Sequence, residues 1–274
     1  MTFSIVARSA DGESWGVAVA SKFLAVGSVA PAAVAGVGAI ATQAHANLSY
    51  RADGLELLGQ GCSPADVVER LTGADDGRVR RQLGVVGAGG AASYTGSECM
   101  DWAGGRSGED YAVQGNILVG SAVVDALEQA WTSTAGRPLA DRLLAALTAG
   151  DAAGGDRRGR QSAALLVARP GAGYGGDDTE VDLRVEDHED PVTELARLHE
   201  LHGLYFGQPS EDDLLPLEGS VAEEVRSLLA RLGHTHDDLD AALDAWAGSA
   251  NFEERLRPGR IDRLVLEQLR LGRV

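Results

Sequence analysis

Apolar and polar positions alternate from Phe3 to Arg8 and again from Trp15 to Ser21. Successive side chains of a strand face opposite ways, so both runs read as strands. Ser9-Ala10-Asp11-Gly12-Glu13 between them supplies a turn, which makes the pair a hairpin. A third strand is expected at Val37–Thr42. The pattern then becomes helical. Leu55, Leu57 and Leu58 lie in one helix; Ser63-Pro64-Ala65-Asp66 opens the next, with Ser63 as cap, Pro64 in the first turn, and Val67, Val68 and Leu71 facing inward. A second hairpin is expected from Gln82–Val86 and Ala91–Thr95 across Gly87-Ala88-Gly89-Gly90. Helices from about Asn116 to Trp131 and from Pro138 to Ala149 follow, and strands at Ser162–Ala168 and Val181–Val185 close the region.

Strands thus alternate with pairs of helices. Antiparallel sheets whose outer faces are covered by helices bury such a pattern, and the expected fold is α+β, a four-layer αββα sandwich. From about Pro191 the apolar positions recur at helical spacing: Leu195 and Leu198, then Val225 and Leu229, then Leu243 and Trp246, then Ile261 and Leu264. The expected organisation is a domain over 1–187 and a small all-helical domain over 191–274, joined by the acidic stretch Glu186–Asp190. Composition supports the split, since 29 of the 36 glycines lie before residue 186.

Charge narrows the partners. The net charge is −17, which disfavours nucleic acid and anionic membrane surfaces. No apolar run reaches the length of a membrane span, the start lacks a signal peptide's basic region, and two cysteines are too few for a disulfide framework. A cytoplasmic location is expected.

Thr2 is the sharpest chemical candidate. Its small size suits removal of Met1 by methionine aminopeptidase, which would leave a hydroxyl nucleophile beside an α-amine with a pKa near 8, suited to general-base work. The strand beginning at Phe3 fixes Thr2 at a sheet end. Lys22, the only lysine, ends the second strand. The hairpin returns Ser21 and Lys22 toward Thr2, but alternation lets only one of them face it; otherwise Lys22 is an edge-strand charge that blocks sheet addition. Gly154-Gly155-Asp156-Arg157-Arg158-Gly159-Arg160-Gln161-Ser162 is the densest polar loop, and its arginine forks suit carboxylates or phosphates. Gln114-Gly115-Asn116 offers amide donors for an oxyanion, or Asn116 is an ordinary helix cap. Thr42-Gln43-Ala44-His45-Ala46-Asn47 is a further polar loop, its His45 more suited to a structural than a catalytic role. The GxGxxA and GxGxxG strings at 87–92 and 171–176 open no helix, so they are not dinucleotide loops. His199-Glu200-Leu201-His202 and His234-Thr235-His236 look metal-like but lack a third ligand at suitable spacing.

The strings TFSIVAR, GVAVASKFLAVGSVAP, GAIATQAHAN, QGNIL and AAGGDRRGRQSAALLV closely resemble the family called domain of unknown function 1028, over about residues 2–187. The resemblance implies the N-terminal-nucleophile (Ntn) hydrolase superfamily and an αββα sandwich. The segment LGHTHDDLDAALDAWAGSANFEERL looks like a peptidoglycan-binding domain. In proteasome-type relatives the catalytic lysine lies at about where this chain has Ala33–Ala35, so either Lys22 substitutes from elsewhere or the mechanism differs. The resemblance implies Thr2 as the nucleophile. The site expected from the residues has Thr2, Lys22 and Asn116 as catalytic residues, with Ser21, Thr42, Gln43, His45, Asp156, Arg157, Arg158 and Gln161 binding substrate. The expected activity is hydrolysis of an amide in a small or peptide-like substrate, without cofactor or metal, by a homo-oligomer that also meets peptidoglycan fragments. The competing readings are a non-catalytic ligand-binding protein on the same fold, and a metal hydrolase built on the helical-domain histidines.

Overall fold

The computed structural model describes residues 2–272. It is mixed α/β with antiparallel sheets, and contacts divide the chain into two units, Met1–Leu198 and His199–Val274. The first opens with β1 (Thr2–Arg8), β2 (Trp15–Ser21), the short α1 (Val26–Val29), β3 (Pro31–Val34) and β4 (Gly38–Ala44). Helices α2 (Ser49–Gly59) and α3 (Pro64–Gly73) come next, then β5 (Arg81–Gly87), β6 (Gly90–Thr95), β7 (Gly104–Ser107) and β8 (Tyr111–Asn116). Helices α4 (Ala122–Ser133) and α5 (Leu139–Ala152), strands β9 (Ser162–Ala168) and β10 (Thr179–Val185), and α6 (Pro191–Phe206) complete the order; the boundary between units falls within α6.

Six strands pair in the order β10-β9-β2-β1-β8-β7 and four in the order β3-β4-β5-β6. Three apolar clusters account for the packing. Phe3, Ile5, Val113 and Leu165 of the larger sheet meet Leu127, Leu143 and Leu147 of α4 and α5. Val6, Trp15 and Val17 meet Ala39, Ala41 and Val86, so the opposite face of that sheet lies against the smaller one. Ile40, Leu83 and Val85 meet Tyr50, Leu58, Val67 and Leu71 of α2 and α3. Gly54 lets α2 approach β4 closely, since a Cβ there would stand 2.5 Å from the Ile40 Cδ1. Strand β1 is covered on both faces and buried from Thr2 to Ala7. Its even-numbered residues face the smaller sheet and its odd-numbered ones face the helices, as the alternation requires.

Two expectations are corrected. The helix expected from about Asn116 begins at Ala122, because Tyr111–Asn116 is a strand paired with β1. Being buried on both faces, it lacks the apolar–polar alternation of a half-exposed strand. Ile261, read as helical, lies on a short strand.

In the second unit, β11 (Leu214–Pro216) pairs with β12 (Arg260–Asp262), while α7 (Gly219–Arg231), α8 (Leu239–Ala250) and α9 (Arg263–Arg270) pack around Trp246 and Phe252. Arg255 Nε donates to Asp262 at 2.6 Å in a buried ion pair, and Arg255 Nη1 reaches the Gly203 and Gly207 carbonyls. Among the described residues no helix is long and apolar enough to cross a membrane, and no group of three or more His, Cys, Asp or Glu is placed to hold a metal ion.

Candidate functional site

Thr2 begins β1 between two strands. Phe3 pairs with Ala20 on one side, and Thr2 pairs with Asn116 on the other. The hairpin therefore returns the end of β2 to Thr2, and the alternation that sends Trp15 and Val17 toward the smaller sheet sends Ser21 there too. The hydroxyls of Thr2 and Ser21 lie 3.1 Å apart, and either can donate. Lys22, the next residue, is exposed, and what it gives the site is its backbone N–H, donated to Asp156 Oδ2 at 2.7 Å.

Between the sheets a chain of buried amides converges on Thr2. Gln114 Nε2 donates to Ser4 Oγ (2.7 Å), and Ser4 Oγ donates to Gln43 Oε1 (2.7 Å). Gln43 Nε2 donates to Gln82 Oε1 (2.8 Å) and to the Thr2 carbonyl (3.3 Å). Asn116 Nδ2 donates to the same Gln82 oxygen (2.9 Å) and, at a long 3.5 Å, to the Thr2 carbonyl. Gln82 Nε2 is held by the Gly115 carbonyl (2.7 Å) and Thr95 Oγ1 (2.9 Å). Gly84 makes room for this network, since a Cβ there would stand 2.3 Å from Gln114 Oε1. Asn116 thus spends its amide hydrogens on Gln82 and Thr2, and in this arrangement it orients the nucleophile candidate.

Above Thr2 opens a cavity of about 260 Å³. Ser21, Thr42, Gln43, His45, Asn116 and Arg158 line it together with Thr2. Asp156, Arg157 and Gln161 do not. Asp156 is buried beneath the loop, where it accepts the Lys22 N–H and the Arg158 N–H (2.8 Å) and so ties residues 154–162 to the end of β2. Arg157 is exposed, and Gln161 donates to Asp187. The expected loss of Met1 concerns a residue outside those described.

The lining includes residues that sequence reasoning passed over. Arg80 ends a short 3-10 helix, Cys99 and Met100 sit in a turn with no motif around them, and Ile117 directly follows the Gln114–Asn116 motif. Cys99 donates its Sγ–H to the Arg81 carbonyl and burial pushes its pKa up, so it is held as a thiol rather than a competing thiolate nucleophile. Ile117 has φ of 50° and Ala44 φ of 65°, left-handed conformations that a β-branched residue such as isoleucine rarely takes. Both line the cavity, where backbone strain tends to collect.

The wall containing His45 is fixed from outside. Asp75 accepts hydrogen bonds from Arg81 Nε (2.8 Å), Asn47 Nδ2 (3.1 Å) and Tyr50 Oη (2.8 Å). The Arg81 hydrogen bond leads in holding its carboxyl well below the usual range, against the opposing effect of burial. Arg81 Nη1 also donates to the His45 carbonyl (2.7 Å), and the His45 N–H donates to the Arg80 carbonyl (3.2 Å).

Comparison with known proteins adds kinship without an activity. A model described as a family of unknown function, DUF1028, matches residues 2–195. A second, described as "Putative peptidoglycan binding domain", matches residues 205–269. The chain is similar to the crystal structure of a protein from Silicibacter pomeroyi whose title carries the same DUF1028 model. The TM-score is 0.66 at 30% identity, over 81% of this chain and 92% of that one. Among curated proteins none matches.

Proposed function

The chain belongs to the DUF1028 family of unknown function, and from that premise we propose that it is an N-terminal-nucleophile amidohydrolase with Thr2 as its nucleophile once Met1 is removed. The observation that carries this reading is the burial of the Thr2 side chain at the floor of a cavity, with its hydroxyl against Ser21 and its carbonyl between Gln43 and Asn116. The order of packed layers, helices on sheet on sheet on helices, supports it as an αββα sandwich of the Ntn kind.

In this mechanism the freed α-amine takes the proton from Thr2 Oγ1 as the oxygen attacks the amide carbonyl carbon. The C–N bond breaks, the amine product leaves with that proton, and an acyl ester remains on Thr2. Water then attacks the ester carbonyl carbon and gives a proton to the same α-amine. The bond from that carbon to Thr2 Oγ1 breaks, the acid leaves, and the α-amine returns the proton to Thr2 Oγ1. Ser21 aligns the Thr2 hydroxyl. The domain over 191–274 is read as the part that meets peptidoglycan fragments.

Purified wild type, Thr2→Ala and Thr2→Ser chains tested on a panel of small and peptide-like amides check the proposal. Wild type hydrolyses members of the panel, Thr2→Ser retains part of the rate, and Thr2→Ala loses it with unchanged far-UV circular dichroism. Equal rates in wild type and Thr2→Ala contradict it.

The exposed Lys22 and the committed amide of Asn116 favour a second reading, a non-catalytic receptor for the same ligand. That reading expects no turnover and an affinity that Thr2→Ala leaves unchanged.

A further inference from the structure

The chain carries 41 acidic residues against 24 lysines and arginines, yet the described lining of the cavity includes Arg80 and Arg158 and no Asp or Glu. The lining thus departs from the acid-rich composition of the whole, offering two arginines and no carboxylate to a ligand. The two arginines come from distant segments, the turn before β5 and the loop before β9. Each is braced by a carboxylate outside the lining. Arg80 Nε donates to Glu98 at 2.9 Å, an approach that leaves the Nη edge of the guanidinium for another acceptor. Asp156 accepts the Arg158 backbone N–H and stands 3.4 Å from its Nη2. Other parts of the lining are apolar, supplied by Phe23, Val26, Val29 and Met100, and Phe23 and Met100 remain more than half exposed. At about 260 Å³ the space falls just below the range for drug-sized ligands and suits a molecule of one or two amino acids.

We propose that the substrate class is a small amide with a free carboxylate, such as an acylated amino acid or dipeptide, whose carboxylate is held by Arg80 and Arg158. Its apolar group rests against Phe23 and Met100, and the scissile bond lies over Thr2. Arginine forks bind carboxylates through paired, charge-assisted hydrogen bonds, which a neutral amide of the same shape cannot form. The inference rests on the reading of Thr2 as nucleophile only for which bond is cut; the anion site is tested separately.

The test is calorimetric titration of the full-length Thr2→Ala chain with N-acetyl-L-leucine and with its primary amide. The acid binds at least about tenfold tighter than the amide, and Arg80→Gln and Arg158→Gln each remove most of that preference. Arg157→Gln, which changes an exposed arginine outside the lining, leaves it intact. Equal affinity for acid and amide, binding of neither, or a preference that survives both arginine substitutions overturns the inference. If the preference holds while the wild type hydrolyses no amide, the anion site stands and the nucleophile reading falls. If neutral amides are turned over as readily as acids, the outcome is the reverse.

Discussion

One carbonyl oxygen of the Gln82 side chain sets the direction of both amides that hold Thr2. Replacing Gln82 with leucine removes the acceptor of one buried N–H on Gln43 and one on Asn116, and takes the Nε2 donor from the Gly115 carbonyl. Each buried polar group so orphaned costs about 1–3 kcal/mol, so Gln82→Leu is expected to lower stability by roughly 3 kcal/mol or more by urea denaturation. Under the proposed reading, variants that remain folded should lose activity, because the amides that orient Thr2 lose their common acceptor. The alternation of β1 and β2 made the meeting of Thr2 with the end of the hairpin readable, and it limited the choice to Ser21 or Lys22. It could not reveal Gln82. Gln43, Gln82 and Asn116 lie on three strands far apart in sequence, and only the pairing of β4 with β5 and the stacking of the two sheets bring their amides together.

Elements carry the site through their ends. The loop after β4 is pinned by Asp75, whose carboxyl is depressed chiefly by the Arg81 hydrogen bond. A carboxyl with a lowered folded pKa stabilises the fold above its ordinary value, near 3.9, and loses that contribution as pH falls toward the folded value. Asp75→Asn should therefore be less stable than wild type at pH 7, with the difference shrinking toward pH 3, as followed by urea midpoints. A gap that stays constant across that range would assign Asp75 no such role. The Ser63 cap is a simpler case. Its Oγ accepts the Asp66 N–H at 3.2 Å, so Ser63→Ala should cost about 1 kcal/mol by thermal denaturation. Caps, hairpins and amphipathic helices were legible because each is encoded within a few residues. The polar-glycine strand Gly104–Ser107 was not, since it has no apolar alternation and exists by pairing with β8. Gln114–Asn116 was misplaced at a helix start because a strand buried on both faces hides its period.

At the scale of the molecule, each unit has its own apolar cluster. Trp246 is fully buried at the centre of the second, so Trp246→Ala should cost that unit roughly 3–5 kcal/mol. Scanning calorimetry should show one transition moved down and the other unmoved, and a shift of both together would contradict separate cores. Intact-mass analysis of the purified chain, before and after exposure to an electrophilic lactone probe, bears most directly on the central claim. The account predicts a mass lacking one methionine and a single added probe, mapped by peptide fragmentation to Thr2. A retained Met1, or a probe that attaches elsewhere or not at all, would contradict it.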